Sequence, residues 1–324
     1  MKYVYVLTSS EKDFYYEQFF LSVISLRLHN HNAHVTALID SKTKGGLTGG
    51  RSGYEQFVSE TIIITSPQEL SQKEVSRWIK TSIRKYVSGD FIYIDCDTIV
   101  SGNMEHDFPP EINIGAIFDT HVPLARHHLI THFNEEDRRL GFVSSFEMGM
   151  RYNGGVIFCR DTPEGNDFFS RWHSLWLYSN KKGNSQDMPS LNQASYEMGG
   201  IISELPGEWN CQITHNGLPF LHNAKIIHYY ATGFSFINCP YLPGSKVILS
   251  SVKDTGYISP EIMELIKNPK TAFERDSRII AGEAELDALN SKLFSIVLRI
   301  RKRKPKLFKK VNSSIIRILS RFNS

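Results

Sequence analysis

The stretch FIYIDCDTIV, residues 91 to 100, decides how this chain is read. Phe91, Ile92, Tyr93 and Ile94 form a short apolar run that follows the turn signal Ser88, Gly89, Asp90 and reads as a buried strand. The run stops on two carboxylates. Asp95 and Asp97 flank Cys96, and strand residues i and i+2 point to the same side, so both anions leave the strand's carboxyl end together. Like charges a few ångströms apart in a half-buried crevice repel, and one pKa rises unless a cation sits between them. The pattern suits a hard divalent ion held by oxygen ligands. A strand end capped by turn-forming aspartates is the plainer reading, but the carboxyl ends of strands in open α/β sheets are where ligands bind.

The chain has 324 residues, 41% hydrophobic and 12% aromatic, enough to bury a core in one large domain or one and a half. Residues 3 to 7 of the opening MKYVYVLTSS already look like a strand, which leaves no room for a cleavable leader. No apolar run approaches the length needed to span a bilayer, so a soluble or surface-bound protein is expected. Cys96, Cys159, Cys211 and Cys239 show no CxxC spacing and read as reduced thiols of a cytoplasmic protein.

The net charge of +3 hides an asymmetry. No acidic residue follows Asp287, whereas Lys292, Arg299, Arg301, Lys302, Arg303, Lys304, Lys306, Lys309, Lys310, Arg317 and Arg321 are basic. Without those eleven charges the preceding residues stand near −8, from 26 basic and 34 acidic side chains. Leu293, Phe294, Ile296, Val297, Leu298 and Ile300, then Leu307, Phe308, Val311, Ile315, Ile316, Ile318, Leu319 and Phe322, are interleaved with these charges. The composition describes one or two basic amphipathic helices broken near Pro305, suited to lying on an anionic membrane surface. The abundant aliphatics argue against nucleic acid as the partner.

Outward from the central run, strands and helices alternate. Residues 3 to 7 read as a strand, the polar Thr8, Ser9 and Ser10 as a loop, 12 to 28 as a helix and 34 to 40 as a second strand. Residues 41 to 53, with five glycines, read as a flexible loop without the Gly-Lys-Ser/Thr ending of a P-loop. Residues 61 to 64 make a third strand, and 68 to 87 a helix that delivers the chain to the central strand. This alternation marks a parallel sheet with helices on both faces.

Residues 112 to 118 read as a further strand, and 119 to 150 as irregular. Of the histidines there, His121, His127, His128 and His132, only His128 and His132 are spaced i, i+4, which favours a polar loop over a metal centre. Asn153, Gly154 and Gly155 lead into a strand at 156 to 159; such glycines admit a close neighbour or mark a bulge. Helices are expected over 164 to 178 and 187 to 198, the second opened by Asp187 as a cap with Pro189 behind it. Residues 225 to 229 form a strand whose end presents His228.

FIYIDCDTIV, RYNGGVIF, DMPSLNQA, LPGEWN and KIIHYYATG, in this order, resemble the corresponding stretches of nucleotide-sugar glycosyltransferases of the GT-A fold. The type is that of glycogenin and the retaining bacterial lipopolysaccharide and lipooligosaccharide galactosyl- and glucosyltransferases. The resemblance spans about residues 1 to 235. It implies an α/β, Rossmann-type mixed sheet flanked by helices; beyond it, the composition leaves an extension over 236 to 288 and the basic amphipathic tail over 289 to 324.

It also implies roles for particular residues. Asp95 and Asp97 become the Asp-x-Asp pair that binds manganese or magnesium across the donor diphosphate, with Asp95 also near the ribose and His228 as the third protein ligand. Lys80 contacts the donor. Asn153 and Asp187 line the sugar and acceptor side as catalytic residues, and Thr8 and Ser9 lie where the uracil ring is held. The chain departs from the pattern at Thr8, Ser9 and Ser10, where an acidic residue is common, at Met188 in place of glutamine, and at Ala231, Thr232 and Gly233 in place of Gly-x-x-Lys.

The expected function is therefore metal-dependent transfer of a hexose, with retention, from a UDP-sugar to a glycan or glycolipid such as lipopolysaccharide. The expected location is the cytoplasm, peripherally on the inner face of the cell membrane. Two alternatives stand beside it. The DCDT stretch also fits the nucleophile motif of haloacid-dehalogenase-like phosphohydrolases, with Asp95 phosphorylated, although no Gly-Asp-x-x-x-Asp follows. The other is a non-catalytic protein that binds nucleotide sugar or membrane.

Overall fold

The computed structural model describes residues 1–104, 111–127, 129–230, 239–273, 287–288 and 291–319. His128, residues 231 to 233, residues 236 to 238 and 274 to 286 of the extension, and residues 289, 290 and 320 to 324 of the tail, Arg321 and Phe322 among them, lie outside the described residues. The strands are β1 (Lys2–Leu7), β2 (His34–Asp40), β3 (Glu60–Ile64), β4 (Phe91–Ile94), β5 (Thr98–Val100), β6 (Ile114–Phe118), β7 (Tyr152–Cys159), β8 (Ile202–Glu204), β9 (Cys211–Gln212) and β10 (Ile226–His228). Seven of them form one sheet in the order β3-β2-β1-β4-β7-β6-β8, and β5-β10-β9 form a smaller one. The first four strands are parallel, as the alternation predicts. β7 runs antiparallel to both β4 and β6, so the sheet is mixed, as the resemblance implies, and not wholly parallel as the alternation alone would give.

Helices cover both faces, so β1, β2 and β4 are buried almost throughout and read as unbroken apolar runs. On one face lies α1 (Tyr15–His29), contributing Phe19, Phe20 and Leu26 to a core shared with the smaller sheet. On the other lie α3 (Gln72–Thr81), α6 (Pro163–Lys181) and α7 (Met188–Glu197), since α2 (Ser41–Gly46) and the intervening α4 (Ile130–Leu140) and α5 (Ser145–Met148) are peripheral additions to the chain order. Phe168, Phe169 and Trp172 of α6 pack there with Val75 and Ile79 of α3. Truncating a fully buried ring such as Trp172 to Ala costs on the order of 3–5 kcal/mol.

Several local expectations change. The segment from 41 to 53 is not an open loop: Asp40 caps α2 by accepting from the Lys42 and Thr43 amides, and short 3-10 turns follow at Gly49–Arg51 and Gly53–Gln56. Tyr54 is fully buried and Arg51 pairs with Glu17, so this stretch is packed onto α1. Residues 119 to 150 contain α4 and α5; Gly141, at φ 76°, ends α4 in the left-handed conformation that favours glycine. The helix expected over 68 to 87 is shorter because the Thr81 and Ser82 hydroxyls return to the Trp78 carbonyl and the chain tightens into a 3-10 turn at Ile83–Lys85.

Beyond the sheet come α8 (Lys246–Thr255) and α9 (Pro260–Lys267), packed against α1, and then the tail helices α10 (Lys292–Arg303) and α11 (Pro305–Leu319). The break falls at Pro305, the first residue of α11, as proline's missing amide requires. Leu293, Ile296, Leu298, Leu307, Val311 and Ile315 of this pair are exposed. No helix among the described residues is long and apolar enough to cross a membrane.

α3 is tied to α6 by Thr81 Oγ1 and His173 Nδ1, 2.8 Å apart, with Trp78 set edge-on to the imidazole. Burial holds the His173 pKa down at about 4, against an ordinary value of 6.5, and Lys85 adds to the effect. Between those values the unfolded chain takes up a proton that the folded chain refuses. Stability is therefore complete above pH 6.5 and falls on the order of 1 kcal/mol per pH unit toward pH 4. Denaturant unfolding above and below this window will show a drop in the wild type that is smaller by this amount in His173→Gln.

Candidate functional site

The candidate site lies where one sheet hands over to the other. β4 ends at Ile94, the turn Asp95, Cys96, Asp97 leaves it, and β5 begins at Thr98 as an edge of the smaller sheet. β10 pairs antiparallel with β5 in the register His228↔Thr98, and the Tyr229 amide donates to the Asp97 carbonyl at 2.9 Å. That register sets His228 Nε2 3.2 Å from Asp97 Oδ1. On the other side Ile94 pairs with Val156 of β7, and the Asp95 amide donates to the Gly155 carbonyl at 2.8 Å.

Each of Asp95, Asp97 and His228 offers a ligand atom, all within 4.8 Å of one another; no other such group of three or more metal-binding side chains occurs among the described residues. Two carboxylates and one imidazole suit manganese or magnesium. Burial raises the Asp95 pKa; Lys80 lowers it and Asp97 raises it again, the self-repulsion expected of the pair without an ion. His228 is pulled down by burial, but the Asp97 charge and hydrogen bond outweigh this and hold it above its ordinary value. The residues present fit the ion.

The glycines of RYNGGVIF lie inside β7 and not at its entry. A Cβ on Gly155 would meet the His228 ring, with Nδ1 at 2.7 Å, and a Cβ on Gly154 would sit 3.2 Å from Lys80 Nζ. Both readings left open by the sequence are realised, close approach of another group and an irregularity in the strand. The register shift in β7 falls opposite Gly115/Ile117, alongside this contact.

Lys80 is the buried hub of the charges. Its Nζ lies 2.7 Å from Asp187 Oδ2 and 3.4 Å from Asp95 Oδ1, and Arg77 Nε lies 4.0 Å from Asp187 Oδ1. Asp187 occupies the N-cap position of α7, yet its side chain makes no capping hydrogen bond and turns to these cations. Burial alone would raise the Asp187 pKa, but Lys80 and then Arg77 bring it down to about 2. The cap reading of Asp187 is thus corrected for its side chain. Arg77 and Lys73 were not singled out from the sequence, although positions 73, 77 and 80 share one helical face.

A cavity of about 790 Å³ opens over this floor, lined among others by Thr8, Asp13, Gln72, Lys73, Arg77 and Lys80. Thr8 lines it; Ser9 does not, and its hydroxyl instead donates to Asp13 Oδ1. Asp13 also accepts from Ser10 and from Gln72 Nε2, so the β1–α1 loop does bring a carboxylate to the cavity, from a position beyond Thr8, Ser9 and Ser10. Two buried polar atoms on residues lining the cavity, Gln18 Oε1 and Arg77 Nε, have no hydrogen-bond partner among the described residues. Such orphaned atoms mark room for a ligand.

Asn153 reaches the same floor from β7, and its amide is fully engaged. Nδ2 donates to Asp119 Oδ1 at 3.0 Å and to the Tyr230 hydroxyl at 2.9 Å, while Oδ1 accepts from the Gly155 amide and Asn210 Nδ2. Tyr230 holds φ 54° and stacks on His228 with ring centres 4.2 Å apart. Of the histidines in the 119 to 150 segment, His127 pairs with Asp119 and His121 Nε2 accepts from the Gln212 amide, so both are framework groups and neither belongs to a metal cluster.

No protein-family model matches this chain, and no curated protein does. Among solved structures it is similar to the galactosyltransferase LgtC in complex with donor and acceptor sugar analogs, at 12% sequence identity and a TM-score of 0.50, covering 82% of this chain and 100% of that one. It is also similar to mouse xyloside xylosyltransferase 1 in its apo form, at 13% identity and a TM-score of 0.48, covering 72% of this chain and 98% of that one. The likeness to LgtC is one of fold: the chain has the GT-A fold, a mixed sheet flanked by helices. The phosphohydrolase alternative rested on the DCDT stretch alone and finds no support in this architecture.

The contact of Gly155 with His228 has a direct consequence. Gly155→Ala forces the imidazole away from Asp97 and, by overpacking, will lower stability by about 1–3 kcal/mol in denaturant unfolding. In Gly154→Ala, which meets only the far end of Lys80 and an Asp187 oxygen, the loss will be smaller.

Proposed function

We propose that this chain is a metal-dependent glycosyltransferase that moves a hexose from a UDP-sugar to a glycan or glycolipid acceptor with retention of configuration. The observation that carries the proposal is the Asp95, Asp97 and His228 cluster on the floor of a cavity whose adjoining wall is cationic. A divalent cation held by these three residues supplies charge that neutralises the departing diphosphate. In the transfer, the bond from the anomeric carbon to the diphosphate oxygen breaks and its electron pair stays with the diphosphate. The acceptor hydroxyl oxygen forms the new bond and its proton passes to the departing diphosphate oxygen.

Lys73, Arg77 and Lys80 balance Asp95, Asp97 and Asp187 one for one, so these residues alone leave the floor near neutral toward a doubly charged diphosphate. Lys80 is committed to two carboxylates. Lys73 and Arg77, more exposed than Lys80 and on the same helix face, are the chain's own groups for the diphosphate, where they lower the barrier by stabilising the charge that develops on it. A carboxylate with a pKa near 2 is a weak base, which supports an electrostatic and orienting role for Asp187 rather than proton abstraction. Asn153, satisfied on all four hydrogen-bonding positions, holds the floor together beneath the sugar.

The tail fits the same reading. The exposed apolar side chains of α10 and α11 stand among lysines and arginines, which supports peripheral attachment to an anionic leaflet where a lipid-linked or lipopolysaccharide acceptor is presented.

Two tests follow. A panel of sugar nucleotides incubated with manganese is expected to give release of UDP from one UDP-hexose, abolished by chelator and reduced at least a hundredfold in Asp97→Ala with its fold intact. Turnover unchanged by chelator would defeat the metal role, and tight nucleotide binding without any release would favour a non-catalytic protein. Truncation before Lys292 is expected to remove sedimentation with anionic vesicles while leaving donor hydrolysis intact; undiminished vesicle binding would remove the membrane assignment.

A further inference from the structure

Gln18 of α1 lines the cavity and is only 5% exposed. Glu17, Ser22 and Ser25, buried on the same helix, are each paired within the protein. Glu17 meets Arg51, Ser22 Oγ lies 3.1 Å from the Tyr5 hydroxyl and 2.9 Å from Thr98 Oγ1, and Ser25 Oγ accepts from the Val100 amide at 2.9 Å. Gln18 Oε1, by contrast, is buried and has no hydrogen-bond partner among the described residues. A carbonyl held in this way opposes folding, so the fold itself gives no reason for an amide here.

Two spaces meet at this side chain. One is a small recess shared with Leu21, Ile99, Pro243 and Leu249, none of which has a side-chain donor. The other is the cavity of about 790 Å³, which Gln18 shares with Thr8, Asp13, Cys96 and Asp97. Along α1, Gln18 comes one turn after Tyr15, the first helical residue beyond the Thr8 to Asp13 loop. It comes one turn before Ser22, whose hydroxyl reaches Thr98 beside Asp97. Gln18 thus lies between that loop and the acidic pair.

A nucleoside diphosphate with its phosphates at Asp95 and Asp97 and its base at the Thr8 loop carries its pentose past this point. The chemistry agrees with the placement. An ionised diphosphate has no hydrogen to donate and cannot satisfy a carbonyl, whereas a ribose hydroxyl both donates and accepts and so matches an amide.

We propose that Gln18 is a specificity-determining residue whose side-chain amide takes a hydrogen bond from a ribose hydroxyl of the sugar-nucleotide donor, so that the chain selects ribonucleotides over deoxyribonucleotides. This rests on the proposed function. The contact supplies the partner that Oε1 lacks in the unliganded protein, and a nucleotide without that hydroxyl leaves the carbonyl buried and unpaired in the complex as well.

The test is calorimetric titration of the full-length protein with UDP, 2′-deoxy-UDP and 3′-deoxy-UDP in the presence of manganese, for the wild type and for Gln18→Met, which keeps the side chain's length and removes the amide. The wild type is expected to bind UDP about tenfold more tightly than at least one of the deoxy analogues. Gln18→Met is expected to bind UDP about tenfold more weakly than the wild type and no longer to separate it from that analogue. Without nucleotide, Gln18→Met is expected to unfold at a higher denaturant concentration, because it removes an unpaired buried amide; an amide kept for structure would give the opposite shift.

Equal binding of all the nucleotides by the wild type overturns the inference and leaves the nucleotide site standing. Discrimination that persists in Gln18→Met, with every nucleotide weakened alike, assigns the amide to the base or the phosphates and also overturns it. A lower unfolding midpoint for Gln18→Met, or its failure to fold, overturns it through the structural role. A wild type that binds none of these nucleotides with manganese overturns the proposed function, and this inference with it.

Discussion

The antiparallel pairing of β5 with β10 is the constraint on which the floor of this cavity depends. Asp95 and Asp97 are two residues apart in the turn between β4 and β5, but His228 is more than a hundred residues away in the chain. It arrives because β5 leaves the main sheet at once and forms a second sheet whose register sets His228 against Thr98. A one-residue slip would turn the imidazole to the opposite face. The hydrogen bond between the Tyr229 amide and the Asp97 carbonyl, and the Tyr230 ring stacked on the imidazole at a backbone angle unusual for a side chain of its size, hold that register at the strand's end.

Around this pairing the charges are arranged as a network and not as isolated pairs. Lys80 is buried, and a buried ammonium is tolerable only with close anionic partners; it has Asp95 and Asp187. The arrangement links α3, β4 and α7 through one side chain, so the three elements that border the cavity share a common electrostatic anchor. Gly154 is part of the same device, because the space its missing side chain leaves is where Lys80 and Asp187 meet the strand.

What was legible in the sequence was mostly local. The apolar run ending on DCD specifies a buried strand with two anions at its tip, and the Gly-Gly of RYNGGVIF signals close approach, without saying what approaches. The direction of β7 was not legible in its own residues, which read alike in either orientation; the resemblance alone implied a mixed sheet, and the choice depends on pairing with β4 and β6. Asp187 followed by Pro189 has the same spelling whether its carboxylate caps α7 or turns to Lys80, and a distant helix makes that choice. Lys73 and Arg77 share the helical face of Lys80, but a basic stripe looks the same whether it faces solvent or a cavity. α4 was missed because its sequence is rich in charge, with Phe133 and Leu140 as its buried apolar anchors and Asp137 paired inward to Arg151.

Cys96 sits between the two aspartates, where a thiol would ordinarily compete for an ion. In the turn it points toward the Val6 carbonyl, to which its Sγ donates at 3.3 Å. Burial and the flanking carboxylates push its pKa well up, so it remains a neutral thiol and not the thiolate that binds metals. A crevice furnished with two carboxylates and an imidazole, its sulfur averted and protonated, discriminates against thiophilic ions such as cadmium or mercury. The same protonated sulfur, half-buried at the cavity, is a slow nucleophile toward alkylating reagents.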